Sequence, residues 1–330
     1  MTSSETASML CSDADLAAGD DPRGSAAEFT SFLLIEHRSS FGRNAAEDAV
    51  RAVYPAALAA AALALPGLRP FAIRPVGRAD AAGSVIRYIG RSGPGGFLAE
   101  THNSPAMADV VQLATTGARH QGPPQSSDTG RRPTAPIAPA STVREAGPLA
   151  GWSAGGLARE PLFAVCTNGS RDRCCAVKGR DVAAQLHFEL DDPDDDPTVV
   201  EISHLGGHRF APTMLVLPWG YAYARLDVDL AQEIAYAAQD GLVHPTNLRG
   251  RADLAPAAQV ADVIWRAELG PAPIDAVLIT SITTEGDVQV VTGTVQGRAE
   301  TQKLRRIPGQ TIFTTACGGK PIPTLRWATA

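Results

Sequence analysis

Leu162-Phe163-Ala164-Val165-Cys166-Thr167-Asn168-Gly169-Ser170-Arg171-Asp172-Arg173-Cys174-Cys175 runs from a short apolar segment straight into a stretch that holds three of the chain's five cysteines. Leu162 to Val165 reads as a buried strand, the cysteines as a loop, and Arg180 to Phe188 as the helix that follows. Downstream, Thr198 to Ile202, Met214 to Leu217 and Tyr221 to Leu226 read as further strands. Asp229 to Gly241 and Pro256 to Leu269 carry apolar residues at helical spacing.

The same order occurs upstream. Phe32 to Glu36 reads as a strand and Ala45 to Leu65 as helix, capped by Asn44, interrupted at Pro55 and ended by Pro66-Gly67. Phe71 to Val76 and Ser84 to Ile89 are strands. Between Gly117 and Gly151 the composition shifts to Pro, Ser, Thr and Gly, which reads as a linker. From Asp275 onward β-formers alternate around Glu285-Gly286-Asp287 and Gln296-Gly297, as expected for antiparallel hairpins. The expected organisation is therefore α/β, with units over 1–116 and 156–270, a linker at 117–155 and a β-rich extension over 271–330.

The chain has 330 residues, 44% of them hydrophobic, and can bury a sizeable core. Its formal charge of −6 and isoelectric point near 5.7 give no basic surplus for a nucleic-acid partner. Met1 to Asp20 is polar and acidic, unlike a secretory signal, and Tyr54 to Pro66 is too short to span a membrane. A cytoplasmic protein with small-molecule or protein partners is expected. Asp191 to Asp196 reads as a solvated loop without the spacing of a calcium site.

Cysteines crowded into one segment of a reducing compartment point to metal or redox chemistry, whereas Cys11 and Cys317 read as inert buried thiols. Eight residues separate Cys166 from Cys175, enough to loop around a small inorganic centre. His204 and His208 flank Gly206-Gly207, and the glycine pair argues against a helix and for a loop that curves around a ligand. Two cysteines and two histidines suit tetrahedral zinc in donor type, although structural zinc usually takes cysteines two to four residues apart. Rieske centres use the same donors with a histidine near each cysteine, whereas here the pairs are segregated. Residue chemistry leaves both metals open.

Val165-Cys166-Thr167-Asn168-Gly169, Arg171-Asp172-Arg173-Cys174-Cys175-Ala176 and Ser203-His204-Leu205-Gly206-Gly207-His208-Arg209-Phe210-Ala211 together resemble the sucrase/ferredoxin-like family, which includes bis-histidinyl thioredoxin-like ferredoxins. Leu33-Leu34-Ile35-Glu36-His37, Phe41-Gly42-Arg43 and Cys11-Ser12-Asp13 are similar to its N-terminal half. The resemblance implies two thioredoxin-like units with mixed sheets and a [2Fe-2S] cluster held by Cys166, Cys175, His204 and His208. Cys174, Gly206, Gly207 and Arg209 become neighbours of the site. Arg209 is expected either to donate to the cluster or to an acidic partner, or to pair with Asp172 or Glu201. Trp219 and Tyr221 are expected in the core or, less simply, as a shield over the site.

Two thiolates balance an oxidised two-iron core, so neutral imidazoles leave the site uncharged and its potential above that of an all-cysteine ferredoxin. Each imidazole keeps a second nitrogen for a proton, so the potential should fall as pH rises. The expected role is electron transfer or redox sensing with a redox partner protein, as a carrier more than a stand-alone enzyme. A zinc module for protein binding and a thiol-disulfide oxidoreductase using Cys174 or Cys175 are the competing readings; the lack of Cys-x-x-Cys counts against the latter.

Overall fold

A computed structural model describes residues 10–37, 39–77, 86–90, 161–191, 198–314 and 321–330. The expected linker, residues 192–196 of the acidic run and Cys317 lie outside these residues. The first unit contains α1 (Cys11–Ala17), β1 (Ser31–Glu36), α2 (Ala45–Val53), α3 (Ala56–Ala64), β2 (Leu68–Pro75) and β3 (Ile86–Gly90). The second contains β4 (Leu162–Cys166), α4 (Arg173–Leu190), β5 (Val199–Ile202), β6 (Met214–Leu217), β7 (Tyr221–Tyr223), α5 (Val228–Gln239), β8 (Leu242–Val243), β9 (Leu248–Arg251) and α6 (Pro256–Leu269). After β10 (Ala272–Pro273) come β11 (Val277–Glu285), β12 (Val288–Val295), β13 (Arg298–Thr314) and β14 (Pro321–Thr329).

The strands of both units form one mixed sheet in the order β3-β1-β2-β5-β4-β6-β7-β9. In the first unit β1 is parallel to β2 and antiparallel to β3; in the second β4 is parallel to β5 and antiparallel to β6. The two sets of strands thus join edge to edge through the antiparallel pair β2 and β5, with Ile73 opposite Ile202. Nothing local in either strand announces a partner more than a hundred residues away.

Strand alternation sorts the core. Leu33, Ile35, Phe163, Val165, Met214 and Val216 pack beneath helices α2 to α5, while Phe32, Leu34, Phe71, Leu162, Ala164 and Cys166 point to the other face. That second face is covered by α1, the segment around Ala26 and Phe29, and the loop containing Leu205. It is the face on which the histidines and cysteines meet.

Helix α4 corrects the expected boundary. It begins at Arg173, so Cys174 and Cys175 lie in its first turn, not in a loop. Asp172 supplies the signal: its side chain accepts the Cys174 N–H at 2.9 Å as an N-cap. Asn44 precedes α2 but makes no such side-chain bond. Pro55 divides α2 from α3 as expected.

In the extension, β11 to β14 form an antiparallel sheet, with reversals at the expected glycines. Gln296 and Gly297 both have positive φ, as the tight turn between β12 and β13 requires. This sheet packs on α6, where Trp265, Val260 and Ala261 meet Val277, Val291 and Leu304. Among the described residues no helix is long and apolar enough to cross a membrane.

A Cβ at Gly179 would fall on the carbonyl oxygen of Cys166, so glycine lets α4 lie directly against the end of β4. A helical Gly→Ala change ordinarily stabilises by about 1 kcal/mol. Gly179→Ala should instead destabilise by about 1 to 3 kcal/mol, because backbone must move to admit the methyl. Urea unfolding of the two proteins measures the sign.

Candidate functional site

Cys166 ends β4 and Cys175 occupies the first turn of α4, and both are buried. The two thiols hydrogen-bond to each other. This bond is the main cause that holds Cys166 well below the ordinary thiol range, and the same bond, helped by burial, pushes Cys175 far above it. The pair therefore carries its first negative charge readily and resists the second. His204 and the backbone N–H of Leu205 also support charge on Cys166.

The histidines come from the loop between β5 and β6. Gly206 and Gly207 have φ of 77° and 70°, and their left-handed conformation turns the chain so that both histidines lie on the same side. A single 3₁₀ turn, His208–Phe210, follows. The two imidazole centroids are 5.7 Å apart. Nδ1 of His204 is buried with no hydrogen-bond partner, and Nε2 of His208 lies 3.9 Å from an Asp172 oxygen.

Arg249, on β9, holds the loop from below. It is buried and donates from Nη1 to the Gly206 carbonyl at 3.0 Å, from Nε to the Ser25 hydroxyl at 3.1 Å, and from Nη2 to the Ser25 carbonyl. A Cβ on Gly207 would come within 2.5 Å of its guanidinium. Burial draws its pKa down to about 10, assisted by Arg209 and opposed by the two cysteines. It remains a cation at neutral pH, beside a thiol pair that holds negative charge.

Arg209 pairs with acids of the N-terminal segment. Glu201 is taken by Arg74 and Thr167, whereas Arg209 reaches Asp20 at 3.2 Å and Asp15 at 3.8 Å and lies over Phe210. Arg225 also meets Asp15, at 3.3 Å. Burial and the nearby Asp20 raise the Asp15 carboxyl to about 6, against the pull of both arginines. Tyr221 and Trp219 pack in the core on the opposite face of the sheet, not over the site.

Cys174 lies beside the Cys166 and Cys175 pair in the same buried cluster. Its sulfur is 3.3 Å from that of Cys11, and Cys11 is 3.9 Å from both oxygens of Asp172. Cys11, Asp172 and Cys174 form a buried group whose donor atoms all lie within 4.8 Å of one another. The sequence reading missed this group and Arg249. Cys11 reads as an inert buried thiol because its neighbours are distant in sequence, and nothing local to Arg249 marks the loop that it holds.

The family model described as sucrase/ferredoxin-like matches residues 22–250. That range contains the paired cysteines, both histidines and Arg249, and stops short of α1 and the C-terminal sheet. No curated protein and no solved structure matches the chain.

Replacing Arg249 with Met should leave the Gly206 carbonyl and both Ser25 groups without their partner and destabilise the fold by about 3 to 5 kcal/mol. Arg249→Lys should recover only part of this, because one ammonium cannot reproduce a fork that spans two segments. Denaturant midpoints of the three proteins measure the difference.

Proposed function

The chain belongs to the sucrase/ferredoxin-like family, and from that membership together with its paired thiols and imidazoles we propose that it is a cytoplasmic iron–sulfur protein. In this reading Cys166, Cys175, His204 and His208 hold a [2Fe-2S] cluster, and its use is electron transfer or redox sensing with a partner protein. The two matching strand-helix-strand-strand units are read as thioredoxin-like.

The observation that carries the proposal is the unsatisfied Nδ1 of His204 beside the Cys166 and Cys175 pair. A buried nitrogen without a partner costs stability, and binding a metal through it removes that cost. The donor set is chemically suitable: thiolates for a soft metal and imidazoles for iron. The group supplies one-electron chemistry when bound.

The chain's own residues would shape that chemistry. Both cysteines are buried and keep their side of the site dry, while the histidines retain partial exposure. A redox partner is therefore expected to dock on the histidine side. Arg249 places a fixed positive charge close to the thiolates, which favours adding an electron. The imidazole nitrogens that do not bind metal can hold a proton, so the potential should fall as pH rises.

The test is the metal and sulfide content of anaerobically purified protein, with its absorption and paramagnetic resonance spectra. Iron and sulfide should be present in equal amounts. The spectra should be lost in Cys166→Ala and Cys175→Ala, altered or lost in His204→Ala and His208→Ala, and kept in Cys174→Ala. Colourless protein with one zinc per chain would reject the proposal in favour of a zinc module, and loss of the spectra in Cys174→Ala but not in Cys175→Ala would reassign the ligand.

A further inference from the structure

Cys11 and Cys174 are not needed by the site proposed above, yet their sulfurs are 3.3 Å apart, and both are at most 3% exposed. They come from positions 163 residues apart, on the first residue of α1 and in the first turn of α4. Asp172 borders both: it accepts the Cys174 N–H and lies 3.9 Å from the Cys11 sulfur. We propose that Cys11 and Cys174 form a second, two-electron redox site, a reversible disulfide that ties α1 to the start of α4. The proposal goes beyond the cluster and does not rest on it.

The geometry favours this over a metal. A metal would draw on three donors here and needs a fourth, whereas a disulfide needs only the two sulfurs. An S–S bond is about 2.05 Å, so closing it requires a relative movement of roughly 1.3 Å. Helix α1 can supply that movement. It is seven residues long, has no side-chain N-cap and is tied down by polar pairs, the half-exposed Asp13 with Lys178 and the buried Asp15 with Arg209 and Arg225.

The oxidant is a hydroperoxide, which reaches the sulfurs when α1 opens locally. One thiolate attacks the peroxide oxygen, the O–O bond breaks, and a sulfenic acid and an alcohol form, or water where the oxidant is hydrogen peroxide. The other sulfur then attacks the sulfenic sulfur, forming S–S and breaking S–O, and the oxygen leaves as water. The proton of the attacking thiol goes to the leaving oxygen. Two thiols and one hydroperoxide give one disulfide, one alcohol and one water; the sulfurs lose two electrons and the peroxide gains them. A dithiol reductant reverses the reaction.

The test treats the full-length protein with hydrogen peroxide, blocks remaining thiols with an alkylating agent and maps tryptic peptides without reduction. Trypsin releases Cys11 in a peptide ending at Arg23, and Cys174 in Cys174-Cys175-Ala176-Val177-Lys178. Fragmentation between Cys174 and Cys175 then assigns the link. A Cys11–Cys174 cross-link should appear, disappear with dithiothreitol, and be absent from Cys11→Ser and Cys174→Ser. Oxidised wild-type protein should melt at a higher temperature than reduced protein, and the difference should vanish in Cys11→Ser. The wild-type cross-link requires no variant to fold, and it is expected whether or not iron is bound, so its failure is separate from failure of the cluster. Alkylation of both cysteines after peroxide, a disulfide between Cys166 and Cys175 instead, or a stoichiometric metal lost in Cys11→Ser would each overturn the proposal.

Discussion

The carbonyl oxygen of Cys166 occupies the space where any larger residue at Gly179 would put its first carbon. This contact draws the start of α4 across the end of β4, and Asp172 holds that start in place by capping it. The consequence is geometric: a strand residue and a helix residue nine positions later bring their sulfurs into hydrogen-bonding contact across the turn of residues 167–172 that joins them. It also rotates Cys174, one residue before Cys175, toward α1. Adjacent cysteines on a helix diverge by about 100°, so one turn serves two different sulfur neighbours.

Charge organises the remaining half of the site. A buried guanidinium is costly unless its donors are filled, and Arg249 fills them with the backbone of the histidine loop and with Ser25. Its cost is thereby converted into a tie between the histidine loop and the segment around Ser25. On the outer side Arg209 and Arg225 meet Asp15 and Asp20, so the N-terminal segment is drawn over the loop by opposite charges. The segment thus covers the apolar face of the sheet where Cys166 and Leu205 lie.

Local patterns made much of this legible. Leu162 to Val165, Met214 to Leu217 and Pro256 to Leu269 read correctly because apolar period and punctuation agree there. The glycine pair between the histidines correctly excluded a helix. The start of α4 is hard to read from sequence because three cysteines and two arginines look like a ligand loop, although Asp172 is a regular N-cap residue. Three features were illegible for a different reason. The β2 and β5 pairing, the Cys11 and Cys174 contact and the Arg249 tie all join residues far apart in sequence, where neither partner carries a local mark of the other.

The C-terminal sheet gains a purpose from the same logic. Helix α6 lies between that sheet and the main sheet, and its Gln259 is wholly buried, accepting from the Ala26 N–H at 3.1 Å and donating to the Ala26 carbonyl at 3.1 Å. Gly24 packs so closely on Val260, Pro256 and Trp327 that a Cβ there would clash with all three. Residues 24 to 26 are therefore clamped by α6 and β14, and Ser25, between them, is the residue that receives Arg249. Stability from the antiparallel sheet reaches the histidine loop by this route: sheet to α6, α6 to Ala26, Ser25 to Arg249, Arg249 to Gly206. The extension lies outside the matched family range, yet it supports the residue that holds the glycine turn in place.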